Sequence, residues 1–332
     1  MTAPTEFKAW RVHEQDGHYQ GAEQTLTTSD LPEGNVLIRV SHSSLNYKDA
    51  LSASGNKGVT RSYPHTPGID AAGEVVESAT GEWPTGSQVI VTGYDLGMNT
   101  AGGFGEYIRV PADWCIPMPG GWNARTAMIY GTAGLTAGLC VQKLLTMGAR
   151  PEQGRVAVSG ASGAVGSVAV ELLTTLGFDV VAISGKSSHA DNLKALGATD
   201  VVGRETLAEE KKPLVKPVFA NAVDTVGGSP LAELLKQIQP GGSVSCCGLV
   251  AGPGLQTTVL PFILRGVNLL GVDSVEIPLA EKHAIWKKFA GDWACPKTEA
   301  SARDIGRAEL DSALKAFLKG ESSGKVVLDH RR

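Results

Sequence analysis

No stretch of this sequence is long and apolar enough to cross a bilayer, and residues 1–10, with Glu6 and Lys8, lack the apolar run of a secretory leader. The expected location is therefore the cytoplasm, without a membrane partner. Cysteine is scarce: the five residues Cys115, Cys140, Cys246, Cys247 and Cys295 are scattered, and no pair stands at metal-ligand spacing. An odd count of this kind reads as reduced structural thiols. The seven histidines (His13, His18, His42, His65, His189, His283 and His330) show no paired helical spacing and are expected at the surface or in packing. A basic excess is missing as well. The net charge of -4 argues against a nucleic-acid surface, so any anionic ligand must be met by local cations.

What is present describes a globular protein: 42% hydrophobic and 19% charged residues, with 41 glycines that suggest many tight turns. A length of 332 residues exceeds one ordinary core and implies two domains meeting at a cleft. The first stretch reads as strands (Phe7–Val12, Val36–Ser41, Gly73–Glu77, Gln88–Thr92) separated by Gly, Pro, Asp and Asn. Helical spacing appears at Ala127–Lys143, the expected junction. From Gly154 short apolar strands alternate with amphipathic helices, which predicts right-handed crossovers and a doubly wound parallel sheet. A final strand at Lys325–Leu328 need not join that sheet and is free to return to the first domain.

The strongest chemical signal is the strand Val156–Ser159 running into Gly160-Ala161-Ser162-Gly163-Ala164-Val165-Gly166 and then a helix. Glycines there let the backbone turn under a pyrophosphate, and the helix start offers free N–H groups and the positive end of a dipole. Ser162, Gly163, Ala164 and Val165 are the expected contacts; the alternative is a strand–helix turn whose glycines serve packing alone. The next strand ends in Ser184-Gly185-Lys186-Ser187-Ser188, with no acid to bind the ribose 2′-hydroxyl of NAD. Lys186, with Arg204 after the following strand, instead suits a 2′-phosphate, which favours NADPH. Lys186 reads otherwise as a solvated turn lysine.

With that turn in hand, other blocks become recognisable. Pro67-Gly68-Ile69-Asp70-Ala71-Ala72-Gly73-Glu74-Val75 resembles the signature of medium-chain dehydrogenases and reductases. Leu45-Asn46-Tyr47-Lys48-Asp49, Gly131-Thr132-Ala133-Gly134, Asp224-Thr225-Val226-Gly227 and Pro261-Phe262-Ile263-Leu264-Arg265 resemble the acrylyl-CoA reductase (NADPH) family, a quinone oxidoreductase-like branch, along essentially the whole chain. Two departures are mild: Lys186 stands where arginine is expected in many relatives, and Ala164 where glycine is frequent. The resemblance implies an α/β protein with a GroES-like catalytic domain over residues 1–127, completed by 300–332, and a Rossmann domain over 128–299, assembled as a homodimer. It implies no metal, since Asn46 and Ile69 replace the cysteine and histidine of zinc-dependent relatives. It also implies further coenzyme contacts at Tyr47, Leu249, Ile263, Ser274 and Lys319, although Leu249 and Ile263 read equally well as core.

The implied reaction delivers hydride to the β-carbon of an α,β-unsaturated thioester, so negative charge gathers on the carbonyl oxygen and a donor there lowers the barrier. Tyr47, in a first-domain loop, is the first candidate as oxyanion or proton donor; otherwise it shapes the rim. Asn46 is expected to orient a carboxamide or thioester, or else to form a turn. Asp49 is expected to organise the loop or pair with Lys48, because nothing near it in sequence would bring its pKa to neutrality. Coenzyme A phosphates point to Lys57, Arg61 and Arg265, each of which reads also as surface charge. A quinone or reactive-enone reductase and a non-catalytic NADPH-binding protein are the competing functions.

Overall fold

The computed structural model describes residues 6–332. The chain opens with the hairpin β1 (Glu6–Gln15) and β2 (His18–Thr27), whose Asp16-Gly17 turn has positive φ at both residues. That geometry matches the right-handed twist of the strands it joins. Then follow β3 (Val36–Ser44), α1 (Tyr47–Ala53), β4 (Asp70–Ser78), β5 (Gln88–Thr92), β6 (Tyr107–Val110), β7 (Cys115–Pro117) and the long helix α2 (Ala124–Thr146). Gly131, at φ 50 and ψ -158, interrupts α2. The next run is β8 (Val156–Ser159), α3 (Ala164–Thr175), β9 (Val180–Ile183), α4 (Ala190–Leu196), β10 (Asp200–Val202), β11 (Asn221–Asp224), α5 (Gly228–Lys236), β12 (Ser243–Cys246), α6 (Leu260–Arg265) and β13 (Asn268–Gly271). The chain closes with α7 (Leu279–Phe289), α8 (Pro296–Ser301), β14 (Arg303–Ile305), α9 (Leu310–Leu318) and β15 (Val326–Asp329).

Two compact units result. The first runs to Thr132 and includes Val275–Ala290 and Ser301–Arg332; the second is Ala133–Ser274 with Gly291–Ala300. The division thus falls beyond the expected boundary at residue 127, and Val275–Ala290, expected in the second domain, belongs to the first. Lys282 explains that membership. Its buried ammonium donates to the carbonyls of Thr92 and Val275 and sits 3.3 Å from the centre of the Tyr94 ring.

In the first unit a seven-stranded sheet has the order β14-β15-β3-β4-β5-β7, with β6 also paired to β3. Alternate residues such as Val36, Ile38 and Val40 of β3 meet Val75, Val89 and Ile108 in its core. β15 lies antiparallel on β3, so the C-terminal segment does return to this unit. In the second unit six parallel strands have the order β10-β9-β8-β11-β12-β13, and Ala157, Val181, Ala222 and Val244 pack against Leu231, Leu234 and Leu235 of α5. This is the doubly wound arrangement the alternation implied. Among the described residues no helix is long and apolar enough to cross a membrane.

Candidate active site

Two constellations stand out, one in each unit. In the second, β8 ends in the glycine turn and α3 begins at once. Gly163 is the N-cap of α3, and Ser167 N–H makes the first bond back, to the Gly163 carbonyl, so the amides of Ala164, Val165 and Gly166 precede the intrahelical ladder. A Cβ on Gly166 would stand 2.4 Å from the Gly160 carbonyl oxygen, which is why glycine is required there. At the end of β9, the Ser184 hydroxyl lies 3.2 Å from that of Ser162 and accepts the Lys186 N–H at the same distance. Gly185 lets the Arg204 guanidinium lie against its backbone, since a Cβ would meet Arg204 Nη2 at 2.1 Å. Ser162, Ser184, Gly185, Lys186 and Arg204 are therefore gathered at one corner, beside the helix start. Two cations and a set of free amides fit the pyrophosphate and 2′-phosphate of NADPH.

Behind this corner Asp224 is buried, and desolvation pushes its pKa up. It accepts Ser159 Oγ at 2.6 Å and the Gly227 N–H at 2.8 Å, fixing the turn that follows β11. Ser274 is buried and accepts from the Thr136 hydroxyl at 2.8 Å. Leu249 and Ile263 are not core residues: they are 58% and 69% exposed, because the segment after β12 and helix α6 lie at the margin of the sheet.

In the first unit Tyr47 is not in a loop but is the first residue of α1, with Asn46 as N-cap. The correction has a physical cause in Asp49, whose carboxylate accepts the Asn46 N–H at 2.7 Å and so satisfies the helix start. The other Asp49 oxygen accepts the Ile69 N–H at 2.9 Å. Asp49 therefore organises the turn, and Lys48 is not its partner, since the Lys48 ammonium lies 4.0 Å from the Met98 sulfur. The expectation of an ordinary acid is overturned: full burial, and then the nearby Asp70 carboxylate, push Asp49 up to about 7.

Asp70 is the residue that sequence reasoning missed. Fully buried at the start of β4, it accepts the Ser44 hydroxyl, the Asn46 side-chain amide at 2.8 Å, the Thr132 N–H at 2.8 Å and the Thr132 hydroxyl at 2.5 Å. A Cβ on Gly131 would strike Ser44 and Asp70, so the interruption of α2 is what admits the chain to this carboxylate. Since a carboxylate only accepts, the Asn46 amide nitrogen is committed inward and its oxygen alone is left for a ligand. That oxygen suits a carboxamide N–H and not a thioester carbonyl, which narrows the expected role. Tyr47 is half-buried and its phenol has no hydrogen-bond partner among the described residues. The one available signal was an acid, Asp70, between the apolar Ile69 and Ala71-Ala72.

The remaining cations separate. Lys57 pairs with Glu14 at 2.9 Å and lies over the Tyr63 ring. Arg61 is exposed, as is Lys319 at the end of α9. Arg265 does not reach outward as expected: its guanidinium donates to the carbonyls of Val215, Lys236 and Ile238, whose acceptors hold it in the fold. Among the described residues no group of three His, Cys, Asp or Glu could hold a metal ion.

These features define a two-unit dehydrogenase class, and the family comparisons agree. The alcohol dehydrogenase GroES-like domain family matches residues 32–120, and the zinc-binding dehydrogenase family matches 164–290. Acrylyl-CoA reductase AcuI of Ruegeria pomeroyi is 44% identical, covering 95% of this chain and 96% of its own. "Putative quinone oxidoreductase YhfP" of Bacillus subtilis is also 44% identical, over 92% and 93%, and its crystal structure with NAD bound gives a TM-score of 0.95. The yhdH oxidoreductase of Salmonella enterica, crystallised with NADP, has a TM-score of 0.94 at 43% identity over 97% and 99%. The chain belongs to the medium-chain dehydrogenase/reductase superfamily and, within it, to the quinone oxidoreductase-like branch that contains the acrylyl-CoA reductases.

Proposed function

We propose that this chain is a zinc-independent, NADPH-dependent reductase that converts acrylyl-CoA to propanoyl-CoA. The observation that carries the reading is near-full-length similarity to an acrylyl-CoA reductase in a chain whose Gly185–Lys186–Arg204 corner offers cations and no acid. NADPH supplies the hydride that adds to the β-carbon. The Ser162–Gly163 turn and the free amides of Ala164 and Val165 hold its pyrophosphate, and Lys186 and Arg204 its 2′-phosphate. Leu249, Ile263, Ser274 and Lys319 are further coenzyme contacts that the resemblance supports. The Tyr47 phenol donates to the thioester oxygen as charge develops, a contribution of about 3 kcal/mol for one well-placed donor, and the α-carbon then takes a proton from Tyr47 or from water. Asn46 and Asp49 keep that phenol in place, and the exposed Arg61 is the remaining candidate for a coenzyme A phosphate.

A second reading, reduction of a quinone or reactive enone, is favoured by the name of YhfP alone. The reading includes a cytoplasmic homodimer. Its dimeric part draws on β13, the terminal strand of its sheet, and on Val259 and Leu264, which are 63% and 65% exposed around neighbouring α6.

The test is oxidation of NADPH and NADH with acrylyl-CoA, crotonyl-CoA, free acrylate and a quinone, with the products identified. Acrylyl-CoA with NADPH is expected to give the highest kcat/KM and a saturated thioester. Faster quinone reduction with no thioester product would overturn the substrate assignment.

A further inference from the structure

Lys325 immediately precedes β15, and its side chain is buried along with the rest of the residue. Among the described residues its ammonium has no hydrogen-bond partner. A buried cation without a partner is costly unless opposite charge stands near it. The charges acting on Lys325 are the carboxylate of Asp70, on β4, and then that of Asp49, on α1. Both are fully buried and both hold the turn at Asn46 and Tyr47. The backbone brings the three together: the Leu45 N–H donates to the Val326 carbonyl at 3.0 Å, and Val327 pairs with Ser44.

We propose that Lys325 is a positioning residue, the buried counter-charge that lets Asp49 keep its carboxylate beside Asp70 and so holds the Asn46–Tyr47 turn in its working geometry. The inference rests on the functional reading of Tyr47. Asp49 serves two N–H donors with its two oxygens, and it can do so fully only as a carboxylate. Protonation turns one oxygen into a donor facing an N–H, and the turn loosens. Asp70 pushes Asp49 toward that protonated form. Burial pulls Lys325 itself down to about 8, a cost that the two acids partly offset. Removing the ammonium leaves two acids of like charge without compensation, and the weaker one takes a proton.

The test is a cycle of Lys325→Met, Asp70→Asn and the double variant. Asparagine at 70 can turn its amide nitrogen toward the Thr132 hydroxyl, which then accepts, while its oxygen keeps the other donors. Lys325→Met is expected to lower kcat about tenfold, with the NADPH Kd within about twofold of the parent. Amide exchange over residues 43–52 should quicken. The double variant should recover most of both losses, because Asp49 ionises again once its acidic neighbour is gone. A Lys325→Met protein with unchanged kcat and exchange overturns the proposal, as does a double variant at least as impaired as either single. If Lys325→Met alone does not fold, a folded and active double variant supports the proposal, and an unfolded or inactive one overturns it. Exchange needs no substrate, so it decides the role of Lys325 even if Tyr47→Phe shows that the phenol has no part in the reaction.

Discussion

Tyr47 owes its place to acids that the phenol itself never touches. Since its phenol has no hydrogen-bond partner among the described residues, Tyr47→Phe removes a donor without disturbing a hydrogen bond seen there. It is expected to reduce kcat by on the order of 10²-fold with NADPH affinity and melting temperature unchanged. Steady-state kinetics beside a calorimetric Kd checks this, and an unaltered kcat removes Tyr47 from the donor role. At this scale the glycine turn was legible, because Gly160 and Gly166 are demanded by local geometry. Asp70 and Lys325 were not legible, because their meaning arises only where β3, β4 and the last strand meet. Asp49 was misjudged for the same reason: what raises it is full burial, and then an acid 21 positions away in sequence, brought close by the sheet. Arg265 looked like an outward cation since nothing in the sequence shows the carbonyls it binds.

Among elements, the short apolar strands of the second unit and the amphipathic helices between them could be read from their alternation. The short helices α1, α6 and α8 could not, with too few turns to show a period. β15 carries a consequence for acid stability. His330, just beyond it, donates from Nε2 to the Gly103 carbonyl at 2.8 Å, while Nδ1 accepts from Arg307 at 3.3 Å. Those neighbours require a neutral ring. Burial therefore lowers its pKa from 6.5 to about 4. A histidine with a depressed folded pKa stabilises the fold above its unfolded pKa and loses that contribution as pH falls from about 6.5 toward 4. His330→Gln keeps one donor and one acceptor but does not titrate. Its melting temperature is expected to fall less between pH 7 and pH 5 than that of the parent, as a thermal melt series would show. Equal slopes would mean that other groups, such as the likewise buried His42, govern acid sensitivity.

For the whole molecule, the proposed homodimer is expected to cover the exposed apolar residues of α6 beside β13. Leu264→Glu places a charge on that surface without touching the sheet core. The expected outcome is a shift from dimer to monomer in light scattering, with the fold retained by circular dichroism. A variant that stays dimeric would place the interface elsewhere.

The first unit is also discontinuous along the chain in a way that governs its birth. β3 is synthesised early, yet its neighbour β15, with Lys325, emerges from the ribosome only after the entire coenzyme-binding unit. The nascent first unit must therefore wait, one flank of its sheet open and its two acids without their cation, while the inserted unit is free to fold ahead of it.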